Sequence, residues 1–176
     1  MPGIDQTLPF RPVRIAILTV SDTRTIETDT SGATLVERLQ GAGHKLGDRA
    51  LIRDDVAKIR SVVQSWIANP DIDAVISTGG TGLTGRDVTH EALTPLFEKT
   101  IDGFSVVFHM VSYESVGLST LQSRATAGVA AGTVIFCLPG STGAVRDGWD
   151  KVISHQLDSR YRPCNLVELM PRLTER

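Results

Sequence analysis

AVISTGGTG, residues 74–82, is a short aliphatic run that empties directly into a glycine loop. The run is too short for a helix, carries adjacent β-branched side chains and is stopped by paired glycines. It therefore reads as a strand buried on both faces of a parallel sheet, with the loop at its carboxyl end. Sheets of that kind hold ligands just outside the carboxyl ends of their strands. Gly79, Gly80 and Gly82 allow the backbone to approach an anion and turn its N–H groups toward it, while Thr78 and Thr81 add hydroxyl donors. A tight turn is the alternative for the same residues. No Gly-Lys-Ser/Thr follows, so the loop is not a Walker loop, and the dinucleotide spacing G-x-G-x-x-G is absent.

Downstream, LTGRDVTHEA (83–92) places a cation, a carboxylate and a hydroxyl ahead of the next helix. Asp87 suits a Mg²⁺ that bridges phosphates, or else Asp87 or Thr89 caps the helix, with Glu91 near the positive end of its dipole. Pro95 predicts a short or broken helix there, followed by a second with Phe104, Val107, Phe108 and Val111 on a core face. Strands at 125–129 and 133–138 are expected to meet at an Ala131-Gly132 turn. The second ends in Pro139-Gly140-Ser141, which offers a helix start either to an anion or simply to Ser141 as its cap, ahead of a helix over 142–157.

Upstream, VRIAILTV (13–20) is a second doubly buried strand, followed by Ser21, Asp22 and a polar loop to Asp29. Thr30 or Ser31 is the expected cap of a helix carrying Leu35, Val36 and Leu39 and stopped by Gly41 and Gly43; residues 29–32 also present free N–H groups at its start. A weaker strand over 46–52 leads to Asp54 and Asp55, caps for a helix with Val56, Ile59, Val63, Trp66 and Ile67 at helical spacing. Asp54 serves equally as a second carboxylate at the site. Strand and helix thus alternate, which predicts a three-layer α/β fold with a mostly parallel sheet and helices on both faces. An N-terminal tail (1–12), an α/β domain (13–160) and a C-terminal tail (161–176) divide the chain.

The 176 residues suit one domain, and their 41% hydrophobic content is enough for a core. With 18 basic against 20 acidic side chains and no Lys/Arg stripe, nucleic acid is not an expected partner. Neither a leader pattern nor a membrane-length apolar run is visible, so a cytoplasmic protein is expected. Cys137 and Cys164 form neither a disulfide framework nor a zinc pattern, and Cys137 within TVIFCL reads as a small buried hydrophobe. His44, His90, His109 and His155 lack metal-ligand spacing, and only His90 is notable by position; Trp66 and Trp149 fall on apolar helix faces.

LTVSD (18–22), DTSG (29–32), STGGTGLTGRDVTHEAL (77–93), LQSRATAG (121–128), LPGS (138–141) and RPCNL (162–166) together resemble the MoaB/Mog family of molybdenum cofactor biosynthesis proteins, on the side of the MoaB branch. The resemblance spans nearly the whole chain. It implies a molybdopterin-binding, MogA-like fold, assembly as trimers or hexamers, and contact with other proteins of the pathway. It also implies Mg²⁺-dependent transfer of AMP from ATP to molybdopterin with release of pyrophosphate; the alternative is a non-catalytic molybdopterin or nucleotide binder. Carried onto this chain, the family pattern puts Thr78, Gly79, Gly80, Thr81 and Gly82 around nucleotide phosphates, with Pro139, Gly140 and Ser141. Asp87 and Asp54 become the acidic pair associated with Mg²⁺ and turnover. Ser21, Asp22, Asp29, Ser31, Gly32, Ser123 and Arg124 are the expected pterin or loop contacts. Where many relatives read Thr-Pro-Glu-Ala, this chain reads Thr89-His90-Glu91-Ala92, a change expected to alter helix entry rather than chemistry.

Overall fold

The computed structural model describes residues 1–175; Arg176, the last residue of the predicted C-terminal tail, lies outside the described residues. In chain order the elements are β1 (Gly3–Ile4), β2 (Arg14–Val20), α1 (Thr30–Gly41), β3 (Lys45–Ile52), α2 (Val56–Ile67), β4 (Ala74–Thr78), α3 (Thr89–Leu93), β5 (Lys99–Thr100) and α4 (Asp102–Val116). They continue with β6 (Thr126–Ala130), β7 (Thr133–Leu138), α5 (Thr142–Gly148), α6 (Ser154–Gln156), β8 (Tyr161–Arg162) and α7 (Leu166–Leu169). The main sheet has the order β3-β2-β4-β7-β6-β5. Its first four strands are parallel, and β6 runs antiparallel to both β7 and β5. From β2 the chain moves out to β3 and then returns to the other side as β4, so the order reverses between β2 and β4, where a crevice opens.

Alternation along the strands splits the core into two layers. Ile15 and Ile17 of β2, Ile76 of β4 and Phe136 of β7 pack with Leu35 and Leu39 of α1, Phe108 of α4 and Val145 of α5. Ala16 and Leu18, Val75, and Ile135 and Cys137 point the other way, onto Ile59, Val63 and Trp66 of α2 and Leu93 of α3. Burial pushes the Cys137 thiol up to about 12, the behaviour of an inert core side chain. Trp66 donates from its indole nitrogen to Asp48 at 2.7 Å, and Trp149 meets His44 edge-on in the opposite layer.

Several details differ from the sequence expectation. The cap of α1 is Asp29, which accepts from the Gly32 N–H at 2.9 Å, rather than Thr30 or Ser31. Its carboxylate is buried and also accepts from the Thr19 hydroxyl and from Arg49, so one residue back in the chain satisfies three donors at once. Asp55, and not Asp54, caps α2. The buried seam of α4 runs Phe104, Phe108, Ser112, one residue in four, which rotates Val107 out to 44% exposure and leaves Val111 half-buried. The strand β5, paired to the outer edge of β6, has no counterpart in the sequence reading. Both tails carry structure, since β1 and β8 pair with each other and Val167 reaches the core. The Ala131-Gly132 turn is present, with φ of 46° and 89°, the two positive values a tight hairpin requires. The helix predicted over 142–157 is continuous but passes through a π-helical turn at Trp149–Ile153. No helix among the described residues is long and apolar enough to cross a membrane.

Burial by itself would raise the pKa of Asp29, but Thr19, the Gly32 N–H and Arg49 outweigh it and hold the carboxyl below its usual range. Asp29→Ala strands those donors and should cost about 3 kcal/mol of stability at neutral pH, read from urea unfolding. Because the folded-state value is depressed, the contribution is present above the ordinary carboxylate value of about 3.9 and is lost as pH falls through the folded-state value. The gap between wild type and variant should therefore close on acidification.

Candidate functional site

A cleft of about 380 Å³ opens at the carboxyl ends of β2, β4 and β7. Its floor is the glycine loop. Gly79 and Gly80 have φ of 96° and 65°, and a side chain at either would collide, at Gly79 with the Val20 carbonyl and at Gly80 with the Thr89 hydroxyl. Every carbonyl from Gly79 to Gly82 is tied off from behind. Gly79 O accepts from Thr89 Oγ1 at 2.8 Å and Gly80 O from the Thr89 N–H at 2.9 Å. Thr81 O accepts from the Arg124 N–H at 2.8 Å and Gly82 O from Arg124 Nε at 2.9 Å. Among the described residues, the N–H groups of Gly80 and Thr81 donate to nothing. Peptides whose carbonyls are held on one side and whose N–H groups are free on the other form an anion cradle.

Three carboxylates border this cradle. Asp87 Oδ2 accepts from the Thr84 hydroxyl at 2.6 Å and the Thr84 N–H at 2.9 Å, which lowers its proton affinity and keeps it ionised. Asp22 is held ionised by Arg86, whose Nη2 lies 2.6 Å from Asp22 Oδ2. Asp54 behaves oppositely: burial, then the charges of Asp22 and Asp87, push its pKa up against the pull of Arg86. No ion pair to Asp54 occurs among the described residues. No closed cage of three or more metal-binding side chains exists among them either. A half-open pair of carboxylates beside a phosphate cradle fits Mg²⁺, which takes one or two protein carboxylates and completes its shell with water and substrate phosphate.

Ser21, Asp22, Asp54, Thr78, Gly79, Gly80, Thr81, Gly82, Asp87, Ser123, Pro139 and Gly140 all face the cleft. Asp29, Ser31, Gly32, Arg124 and Ser141 stand behind its lining. Asp29 is the buried cap already described, and Gly32 packs against it and Thr19. Ser31 donates to Gly140 O at 2.8 Å, Ser141 caps α5, and Arg124 holds the glycine loop from outside. Neither Asp87 nor Thr89 caps α3, since Asp87 is engaged with Thr84 and Thr89 with the glycine loop. His90 is half-buried away from the cleft, with a lowered proton affinity from burial and the nearby Arg124. Sequence reasoning had not placed Thr19, Val20, Arg24, Arg86 and Gln122 in the wall. Arg86 was visible beside Asp87 as a cation following the glycine loop, and Gln122 lay within the LQSRATAG motif without being singled out.

A three-layer α/β domain with an anion cradle and paired carboxylates at its switch point is the class defined by this geometry. The chain belongs to the MoaB/Mog family of molybdenum cofactor biosynthesis proteins, residues 16–159 matching the family described as "Probable molybdopterin binding domain". It is 53% identical to molybdenum cofactor biosynthesis protein B of Escherichia coli (strain K12) over 156 residues, covering 89% of this chain and 92% of the relative. The protein of the same name from Bacillus subtilis (strain 168) is 44% identical over 146 residues, 82% of this chain and 86% of the relative. Among solved structures, a molybdenum cofactor biosynthesis protein B superposes with a TM-score of 0.81 at 45% identity, over 84% of this chain and 92% of the other. The tungsten cofactor synthesizing protein MoaB from Pyrococcus furiosus gives 0.74 at 35% identity, over 82% and 92%.

Since Asp54 is forced to carry its charge among like charges, that charge costs stability above its raised folded-state pKa and not below the ordinary carboxylate value of about 3.9. Asp54→Asn should raise the thermal midpoint at pH 7 without divalent metal, and the advantage should vanish on acidification. In a chain of this size each ~1 kcal/mol of relieved repulsion is worth about 2–4 °C, measurable by calorimetry.

Proposed function

We propose that this protein transfers AMP from ATP to molybdopterin: an oxygen of the pterin's terminal phosphate attacks the α-phosphorus, the bond to the β-phosphate oxygen breaks, and pyrophosphate leaves. The observation that carries this reading is that one cleft holds two unsatisfied functions, the free Gly80 and Thr81 N–H groups and the Asp54 carboxylate, which has no ion pair and shares the cleft with Asp87. The backbone donors hold the departing phosphates and take up charge as it develops on them. Asp54 and Asp87 would hold Mg²⁺, which supplies Lewis-acid neutralisation of phosphate charge. An ionised phosphate nucleophile needs little general-base help, so positioning does most of what remains for the protein. Arg24 and Arg86, the two cations of the cleft wall, add positive potential for the anionic substrates. The cytoplasm, where ATP is abundant, is the proposed location.

Self-association as trimers or hexamers belongs to the same reading. Val106, Met110 and Tyr113 form an exposed apolar face of α4 opposite its buried seam, and Leu118 and Leu121 extend it. Clusters of this kind on a water-soluble surface mark contact sites.

The purified protein with Mg·ATP should release pyrophosphate only when molybdopterin is added. Asp87→Ala should lower kcat by at least about 100-fold while molybdopterin binding persists. Tight molybdopterin binding with no release by the wild type would instead identify a non-catalytic binding protein. In a separate measurement, sedimentation should give a trimer or hexamer, and Met110→Glu should shift it toward monomer.

A further inference from the structure

The loop from Gly82 to Asp87 carries one of the three carboxylates of the cleft, yet residues 83–86 are on the surface. Within the loop, the hydrogen bonds run between Thr84 and its neighbours Arg86 and Asp87, which shape the turn without anchoring it to the domain. At the solvent face Arg86 pairs with Asp22; the loop's backbone ends are held by one side chain 37 residues beyond Asp87, at the start of the stretch leading into β6. Arg124 donates from Nε to Gly82 O at 2.9 Å and from Nη2 to Asp87 O at 2.9 Å, so one guanidinium spans both ends of the loop. Its outer edge is gripped by the Glu91 carboxylate through Nη1 and, at 3.2 Å, Nη2. The Arg124 N–H adds a bond to Thr81 O, and the preceding carbonyl, Ser123 O, is braced from α4 by His109 Nε2 at 3.1 Å.

We infer that Arg124 is a positioning residue: aligned by Glu91, its guanidinium clasps the two ends of the 82–87 loop and thereby fixes the Asp87 carboxylate relative to Asp54 and the glycine loop. A planar fork with donors on both edges meets two carbonyls and a carboxylate simultaneously; a lysine ammonium on a flexible stem cannot span the same separation. Arg124 does not line the cleft, so its effect reaches the ligand only through Asp87 and the loop backbone. The kinetic consequence rests on the adenylyl-transfer reading, whereas the restraint on the loop rests on geometry alone.

The test uses the full-length protein as Arg124→Lys, Arg124→Ala and the milder Glu91→Gln, with amide hydrogen exchange and pyrophosphate-release kinetics measured on each. Exchange across residues 82–87 should accelerate by about 10-fold or more in Arg124→Ala, with protection of β4 unchanged, a local opening rather than unfolding. In Arg124→Lys, kcat should fall by about 100-fold while KM for ATP changes little, as displacement of a group acting in the transition state predicts. Glu91→Gln should lie between. Millimolar guanidinium ion should restore part of the activity of Arg124→Ala and none of that of Asp87→Ala. Unchanged exchange in Arg124→Ala would overturn the clasp, and faster exchange with an unaltered kcat would overturn its positioning role. If the wild type releases no pyrophosphate, the adenylyl-transfer reading falls by itself and the exchange result alone decides whether Arg124 restrains the loop.

Discussion

Where β2, β4 and β7 end, three backbones pass so close that no side chain fits between them. The Gly79 Cα lies against the Val20 carbonyl on one side, and a side chain at Gly140 would come within 3.1 Å of the Gly79 Cα on the other. That closeness sets the rest of the site. It turns the carbonyls of residues 79–82 outward to be captured by Thr89 and Arg124, and so turns the N–H groups of Gly80 and Thr81 into the cleft. It also brings the loop after β3, with Asp54, under Gly80. The parallel order of β3, β2, β4 and β7 delivers all four loops to one edge of the sheet, and the reversal between β2 and β4 leaves the gap they surround.

The electrostatics of the cleft follow a division of labour among otherwise similar aspartates. Asp29 is buried, fully partnered and committed to holding α1 against β2 and β3. Asp22 is neutralised by Arg86 and Asp87 is steadied by Thr84, whereas the Asp54 carboxylate has neither an ion pair nor a hydrogen-bond donor from another residue among the described residues and sits among like charges. A carboxylate held in that state favours a cation, and the stability it costs is the usual signature of a site built for a ligand rather than for packing. Behind the lining, Ser31, Ser141 and Arg124 do not face the cleft, but each fixes a different segment that does.

Much of this was legible in the chain because it depends on neighbours in sequence. Strands declared themselves as nearly continuous apolar runs at 13–20, 74–77 and 133–138, glycines marked the loops, and Ser141 sat where a helix start needs an acceptor. The resemblance of six separated motifs to one family carried the rest of the functional reading. Expectations failed where distant residues decided the outcome. Asp29 displaced Thr30 and Ser31 as cap because Arg49 and Thr19, from two different strands, converge on it. Val107 turned outward because α4 packs along a seam of one residue in four. The pairing of β1 with β8 joins the two ends of the chain, and β5 exists only because the edge of β6 offers it a partner.

The sequence by itself determined the alternation of strands and helices, the glycine floor of the cleft and the identity of the acidic residues, since each follows from local backbone freedom or from periodic burial. Tertiary structure alone decided which of those acids became a structural cap and which was left exposed to its own kind. It also decided that Arg124 holds a loop instead of lining the cleft, and that Arg24 and Gln122 enter the wall. The physical reason is that charge and hydrogen-bond satisfaction depend on what lies within a few ångströms, and in a parallel sheet those neighbours arrive from strands that are far apart in the chain.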